Sequence, residues 1–473
     1  MKQQKMVVNK DLQYERSRCT FDPVEVTHFF DGSAEKTRQR RDQEQYFLGD
    51  LVLKENVAMK YKSHKEIYEG TLRICCKVLH KIRELQRSGK ADIHLVLNIF
   101  RRVLGTALFE DGNPLLLHYG MFLPALMGQA NSEQQAYWIN RAWTGDVIGT
   151  YAQDMERFSG VWKLRVWDMY NTVQSQLHHS DYEKLPELHS LSCCLKAVVS
   201  ADTAAGIEQL RLSCGGHGYM TASNLPVLYG FATAVCTYEG ENTVLLLQTA
   251  RYLVESWKQA MDGKPLPESV EYLNEAAKGV KHCRWSNDLE CLIDAYNAVA
   301  AGSIRLAAEH LDRRIRDGVP TEEAWNQTSI ELTQCAEAHA RVFIVKTFAE
   351  AIKQLNSKSE EFRQVMFQLC ELYIVYWALR NVGNFLRFSS MQEEHVQTLH
   401  SRLEYLLMAI RRNAVGIVDG FDFDDHILCS VLGAYDGNVY ERLFQEAMKS
   451  PLNRETANIP FEKYLKPFLK CNL

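Results

Sequence analysis

The chain has 473 residues and interspersed charges, 54 basic and 59 acidic, for a net charge of -5. That balance gives no electrostatic drive toward nucleic acid or an anionic membrane surface. The length exceeds what one compact core fills and implies about two to four units. Thirteen cysteines occur without a C-x-x-C or His-paired spacing, which argues against a disulfide framework and against a zinc site. Glycine and proline are sparse, 26 and 11 residues, as long helices require.

In chain order, residues 1–10 hold no apolar run of the signal-peptide kind. Tyr68, Leu72, Cys75, Leu79 and Ile82 recur at spacings of four and three and predict an amphipathic helix. Ser132 with Gln135 fits a capping box at the start of another. Val147–Tyr151 reads as the one convincing strand, and one strand cannot make a sheet. The adjacent pairs Cys75-Cys76 and Cys193-Cys194 read as small buried apolar residues.

From Arg211 to Ser256 the sequence is most informative. Gly215 and Gly216, with Gly218 two further on, allow backbone N–H groups close to a ligand, or simply stop a helix. Tyr238-Glu239-Gly240-Glu241-Asn242-Thr243 precedes a helix, so Glu239 is either a carboxylate poised for proton abstraction or the helix cap. Tyr68-Glu69-Gly70 shows how little a bare Y-E-G means. Asp262–Pro267 gathers turn formers and marks a boundary.

Beyond that turn, helical stripes run through Ile304–Ile315, Ala336–Ile352 and Phe362–Leu379, with Pro320-Thr321-Glu322-Glu323 supplying a cap and early acidic charge. The apolar run Leu372–Leu379 is too short to span a bilayer. Asp419, Asp422, Asp424 and Asp425 beside His426 lack calcium-loop spacing, and the interleaved Phe421 and Phe423 suggest half-buried packing instead. His118, His189 and His217 have no partner pattern for metal or triad work, and the first two read as satisfied histidines. The last four residues, Lys470-Cys471-Asn472-Leu473, resemble the S-K-L class of peroxisomal address, with Asn where a basic residue is usual. An ordinary tail is the alternative.

Taken together, C-G-G-H-G-Y followed by C-T-Y-E-G-E-N-T-V-L-L-L-Q-T-A-R resembles the acyl-CoA oxidase family, as do Phe29–Gly32 with Arg40-Arg41, Gly120–Leu126, Ile148–Gln153, L-P-E-L-H-S-L-S-C-C-L-K-A, V-D-G-F-D-F-D-D-H and G-A-Y-D-G-N-V-Y-E-R-L-F. The resemblance implies FAD-dependent α,β-dehydrogenation of a fatty acyl-CoA with O2 reduced to H2O2. Glu239 would be the catalytic base, Gly215, Gly216, Gly218 and Asn242 would help bind FAD seated mainly on the partner subunit of a homodimer, and His217 would be structural or flavin-side. It also implies a peroxisomal destination, turning the terminal signal into an expectation.

The family's G-T-Y-A-Q run continues into a β-domain, whereas Gln153 is followed here by Asp154–Phe158 and then by sequence resembling a later helix. The fold expected is therefore mainly α, acyl-CoA oxidase-like helical domains with the β-domain largely deleted. The units are residues 1–146, a residual strand at 147–153, a central FAD and catalytic bundle at 154–261, and a C-terminal helical domain at 268–473. No nucleic-acid partner and no membrane span are expected. The alternative function is an impaired isoform that pairs, as a heterodimer, with a full-length oxidase.

Overall fold

The computed structural model describes residues 7–50, 53, 61–89, 114–149, a few positions between 166 and 176, and residues 181–279, 285–286, 288–355, 358–455 and 459–471. Among them the chain is helix and turn, with no strand. The strand expected at 147–151 is absent over 147–149, and Thr150 and Tyr151 lie outside the described residues. With no second extended segment to pair among the described residues, this backbone bonds locally: the Val147 N–H donates to the Arg141 carbonyl, and the Gly149 N–H to His118 Nδ1 at 3.1 Å.

The main core lies where Asn242–Met261, Leu289–Arg316, Thr321–Lys353, Glu360–Arg380 and Glu393–Arg411 pack together. Leu289–Arg316 and Thr321–Lys353 both give alanines to this core, Ala300, Ala307 and Ala308 from the first and Ala324 and Ala336 from the second, small residues that let helix axes approach closely. Larger side chains such as Leu253, Leu332 and Ile374 are fully buried around them, each worth about 1.5–3 kcal/mol. The core contains Leu253 and Trp257 before the Asp262–Pro267 turn and Leu292 and Tyr296 after it. Leu185–Ser213, long and apolar enough to cross a membrane, is here a core helix that buries Leu191, Cys194, Leu195 and Val198 against Ala340 and Ile344.

The N-terminal helices serve two cores. Phe47, at the end of Ala34–Leu48, packs with Ile74, Val78 and Ile82 of His64–Arg87 and with Leu115 and Leu123. Ahead of it, the chain docks on the C-terminal part: Arg16 pairs with Asp419, Arg40 with Asp422, and Thr20 bonds Asn413. Each carboxylate of the predicted acidic cluster has a partner there, Asp424 on His426 and Asp425 on Arg442. Phe421 and Phe423 stack at 6.1 Å, both more exposed than expected.

Other expectations shift slightly. Tyr68 and Leu72 are exposed and the buried stripe is Gly70, Ile74, Cys75, Val78 and Ile82, because Gly70 and Ile74, about 200° round the helix from Tyr68 and Leu72, lie on the face turned inward. Cys76 is exposed beside buried Cys75, since successive helical residues point about 100° apart. The capping box starts one residue early, on Asn131 and Gln134. Pro320, preceding Thr321–Lys353, makes no side-chain cap bond, while Glu322 and Glu323 supply the acidic first turn.

Candidate functional site

Three helices build the site. Leu185–Ser213 ends at Cys214, and Gly215 turns the chain in the left-handed region, φ 57°. The sterically cheap residue there is glycine. A Cβ on Gly215 or Gly216 would meet open space, whereas one on Gly218 would collide with the Arg211 carbonyl. Thus Gly218 is required for packing within the turn, while Gly215 and Gly216 are exposed, the Gly215 N–H donating to the Leu212 carbonyl and the Gly215 carbonyl accepting from the Gly218 N–H. His217 packs its ring edge-to-face on Tyr440 at 6.0 Å, and Asn224 bonds the Leu428 carbonyl, tying this turn to the C-terminal part.

Leu225–Val235 then runs back along Leu185–Ser213, about 16 Å for its eleven residues. It delivers Tyr238-Glu239-Gly240 level with Lys196 and Ser200. Glu239 has φ 58° and Gly240 φ 95°. A left-handed conformation in a non-glycine residue costs about 1–2 kcal/mol and persists where the surroundings dictate it. They do so here. Tyr238 N–H donates to the Ala234 carbonyl, and Asn242 N–H to Cys236. A Cβ at Gly240 would press on Leu245 at 2.7 Å.

The cap of Asn242–Met261 is Glu241, whose carboxylate accepts from Thr243 N–H at 2.9 Å and Val244 N–H at 3.1 Å. Burial pulls its carboxyl upward, but those amides, the Thr243 hydroxyl and the Lys196 charge hold it below the ordinary carboxylate range. Glu239 is therefore not the cap. It is half-buried two residues outside the cap, and its charge, after burial, helps push the Tyr238 phenol up.

Sequence reading missed the anchor of this loop. Lys196, 2% exposed, donates from Nζ to the Gly240 carbonyl and to Asn242 Oδ1. Asn242 Nδ2 donates to the Ala197 carbonyl at 3.1 Å and to Ser200 Oγ at 3.0 Å. The Asn242 amide is thus turned onto the Leu185–Ser213 helix rather than outward. The signal was present as a lone lysine in the apolar run C-C-L-K-A-V-V.

The structure brings Glu239 and Asn242 together and sets the glycine turn apart, because Ser213 lies thirteen residues beyond Ser200 on one straight helix, about 20 Å away. His118 is a satisfied core histidine, bonded to the Ala142 carbonyl at 2.9 Å and accepting from Gly149. His189 is exposed, 3.7 Å from Cys193 Sγ. A cavity of about 290 Å³ between Tyr296, Arg341, Trp377 and Asn384 contains none of the expected site residues.

Comparison with known proteins gives the following. The family description "Acyl-coenzyme A oxidase N-terminal" matches residues 22–148, "Acyl-CoA oxidase, C-alpha1 domain" residues 158–254, and "Acyl-CoA oxidase" residues 288–470. Acyl-coenzyme A oxidase 1 of Drosophila melanogaster is 32% identical over 98% of this chain and 99% of its own length. That alignment runs to 664 positions against 473 residues here, so a domain-sized part of the relative has no counterpart. Peroxisomal acyl-coenzyme A oxidase 1 of Bos taurus is 42% identical over 63% of this chain, spanning 46% of the relative. In fold, acyl-CoA oxidase-2 of Caenorhabditis elegans, solved with FAD, ascaroside-CoA and ATP, superposes with TM-score 0.87 at 22% identity over 98% of both chains. Acyl-CoA oxidase 1 of Arabidopsis thaliana gives 0.85 at 21%, over 99% of this chain and 100% of the other.

Proposed function

Because the chain belongs to the acyl-CoA oxidase family, we propose that it dehydrogenates a fatty acyl-CoA between its α and β carbons, with Glu239 as the base. The observation that carries this reading is the division of labour at the loop. Glu241 caps the helix, which leaves Glu239 held in a left-handed turn at the helix mouth, outside the cap. A carboxylate so placed can take the α-proton of a thioester, and the Glu239 backbone N–H is the nearest donor by sequence to polarise the thioester carbonyl. Loss of the α-proton and of the β-hydrogen gives the trans-2-enoyl-CoA.

FAD, when bound, accepts the β-hydrogen as hydride and returns the electrons to O2, yielding H2O2. The residues present fit such a group at one end: Gly215 and Gly216 are exposed with open space on the side a Cβ would fill, so a ligand can approach closely there, although the Gly215 N–H is already given to the Leu212 carbonyl. Asn242 contributes by fixing the loop. The separation of about 20 Å along one helix supports a flavin shared between two subunits, the glycine turn of one chain serving the ring that faces Glu239 of the other. The exposed apolar surface of Leu225–Val235 supports the same pairing. A peroxisomal site of action, as the first step of fatty-acid β-oxidation there, is supported by the names of the mammalian relatives. In the terminal Lys470–Leu473 signal, Asn472 and Leu473 lie outside the described residues.

The test is an absorption spectrum of the purified protein followed by an H2O2 assay with palmitoyl-CoA. A yellow protein whose H2O2 release falls by about 10³ or more in Glu239→Gln supports the reading. A folded, colourless protein that takes up no added FAD overturns it.

A further inference from the structure

We propose that Lys196 is a positioning residue, its ammonium holding the Glu239 loop in the conformation that aims the carboxylate. The inference rests on the reading of Glu239 as base and adds a residue that acts through the loop it holds. Lys196 sits among Cys193, Leu195, Ala197 and Val198 and is itself buried. Its acceptors, the Gly240 carbonyl and Asn242 Oδ1, are both neutral. Withdrawing an ammonium from water into such a place is costly, and a methionine of similar length would pack there without that cost. What methionine cannot do is hold the Gly240 carbonyl.

That bond acts where the chain has most freedom to relax. Glu239 and Gly240 are consecutive left-handed residues. Tyr238 is fixed on one side by Ala234, and Asn242 on the other by Cys236, Ala197 and Ser200. Between these anchors, the Lys196 bond fixes the Gly240–Glu241 peptide plane, and with it the direction in which the Glu239 side chain leaves the turn. Lys196 also places positive charge near Glu241, adding a last, small contribution to the lowering of its carboxyl by the Thr243 and Val244 amides and the Thr243 hydroxyl. Sequence reading passed over it because one lysine in a helix is ordinarily a surface residue.

The experiment uses the full chain supplied with FAD. Lys196→Met should raise hydrogen exchange of the amides of residues 239–243 by about tenfold or more, with the rest of Leu185–Ser213 unchanged. With palmitoyl-CoA, kcat should fall by about tenfold or more while KM stays within about twofold. In Lys196→Ala, added ethylammonium should restore part of the lost kcat. Lys196→Gln, which keeps a neutral donor, should fall between and serves the same comparison if the methionine variant does not fold. Unchanged loop exchange overturns the proposal, and so does exchange rising uniformly along the chain without amine rescue. If wild-type protein turns over no substrate, the base assignment fails while the exchange comparison still decides the role of Lys196.

Discussion

Arg40 and Arg41 both bind Asp422, yet their removal should differ sharply in cost. Arg40 is 10% exposed, and bonds Asp31 from Nε at 3.0 Å, Glu44 from one terminal nitrogen at 2.9 Å and Asp422 from the other at 2.6 Å. Asp31 is only 7% exposed. Breaking a buried pair leaves a desolvated charge and costs about 3–5 kcal/mol. Glu44 and Asp422 are partly wet, so the lower end, about 3 kcal/mol, is expected for Arg40→Met. Arg41 is half exposed, and Arg41→Met should cost no more than about 1 kcal/mol. The clasp joins Ala34–Leu48 to the C-terminal part, so the readout is native-state hydrogen exchange of that helix. Arg40→Met should speed its exchange about a hundredfold, Arg41→Met less than about fivefold. Equal effects, or less than about tenfold for Arg40→Met, would refute the ranking by burial.

Acid should loosen the same clasp. Burial raises the Asp422 carboxyl, but Arg41 and Arg40 outweigh it and hold it below its ordinary value of 3.8. A lowered folded value means the contribution is complete above that value and is lost as pH falls through the folded one, so exchange of Ala34–Leu48 should accelerate only well below pH 4, about where that carboxyl protonates. His339, fully buried against the Tyr272 hydroxyl, is pushed down to about 4 by burial and then by Lys346. The unfolded chain takes up this proton first, so stability should decline from about pH 6.5 toward pH 4, by roughly 3 kcal/mol. His339→Gln should flatten that decline in denaturant titrations. At the glycine turn, Gly216→Ala should leave stability within about 0.5 kcal/mol while weakening FAD uptake, and Gly218→Ala should destabilise by about 2 kcal/mol or more because its Cβ meets the Arg211 carbonyl.

Most of the helical plan was readable from residue spacing. The Ile304–Ile315, Ala336–Ile352 and Phe362–Leu379 stripes fall inside helices that build the core, since periodicity reports a buried face directly. Residues 147–149 misled because a β-branched run reports local preference, and a strand exists only with a partner. The Glu239 loop was legible in part. The sequence placed a carboxylate and a glycine before a helix, but which glutamate caps depends on φ at Glu239, which is a product of contacts. Lys196 and Ser200 reach the loop across more than forty positions of sequence, and no local pattern encodes such a bond. The N-terminal docking on Asp419 and Asp422 was hidden for the same reason.

The return helix that delivers Glu239 carries the remaining argument about assembly. Leu225–Val235 reads L-P-V-L-Y-G-F-A-T-A-V, yet Ala232 is its one buried residue. Val227, Leu228 and Phe231 are exposed, as are Tyr219 and Met220 beside them and Tyr238 at the far end. Apolar surface of this kind is worth about 25 cal/mol per Å² when covered, so a contiguous face is a standing drive to associate. A second copy of the chain would cover it and would bring a second glycine turn toward Glu239, which joins the assembly to the proposed chemistry. The expected result is a dimer by light scattering at micromolar concentration. Leu228→Asp with Phe231→Asp, both solvent-facing, should leave the fold intact and shift the protein to monomer with loss of flavin. A monodisperse wild-type monomer that retains flavin would refute the link, because one chain would then suffice to hold the cofactor opposite its own base.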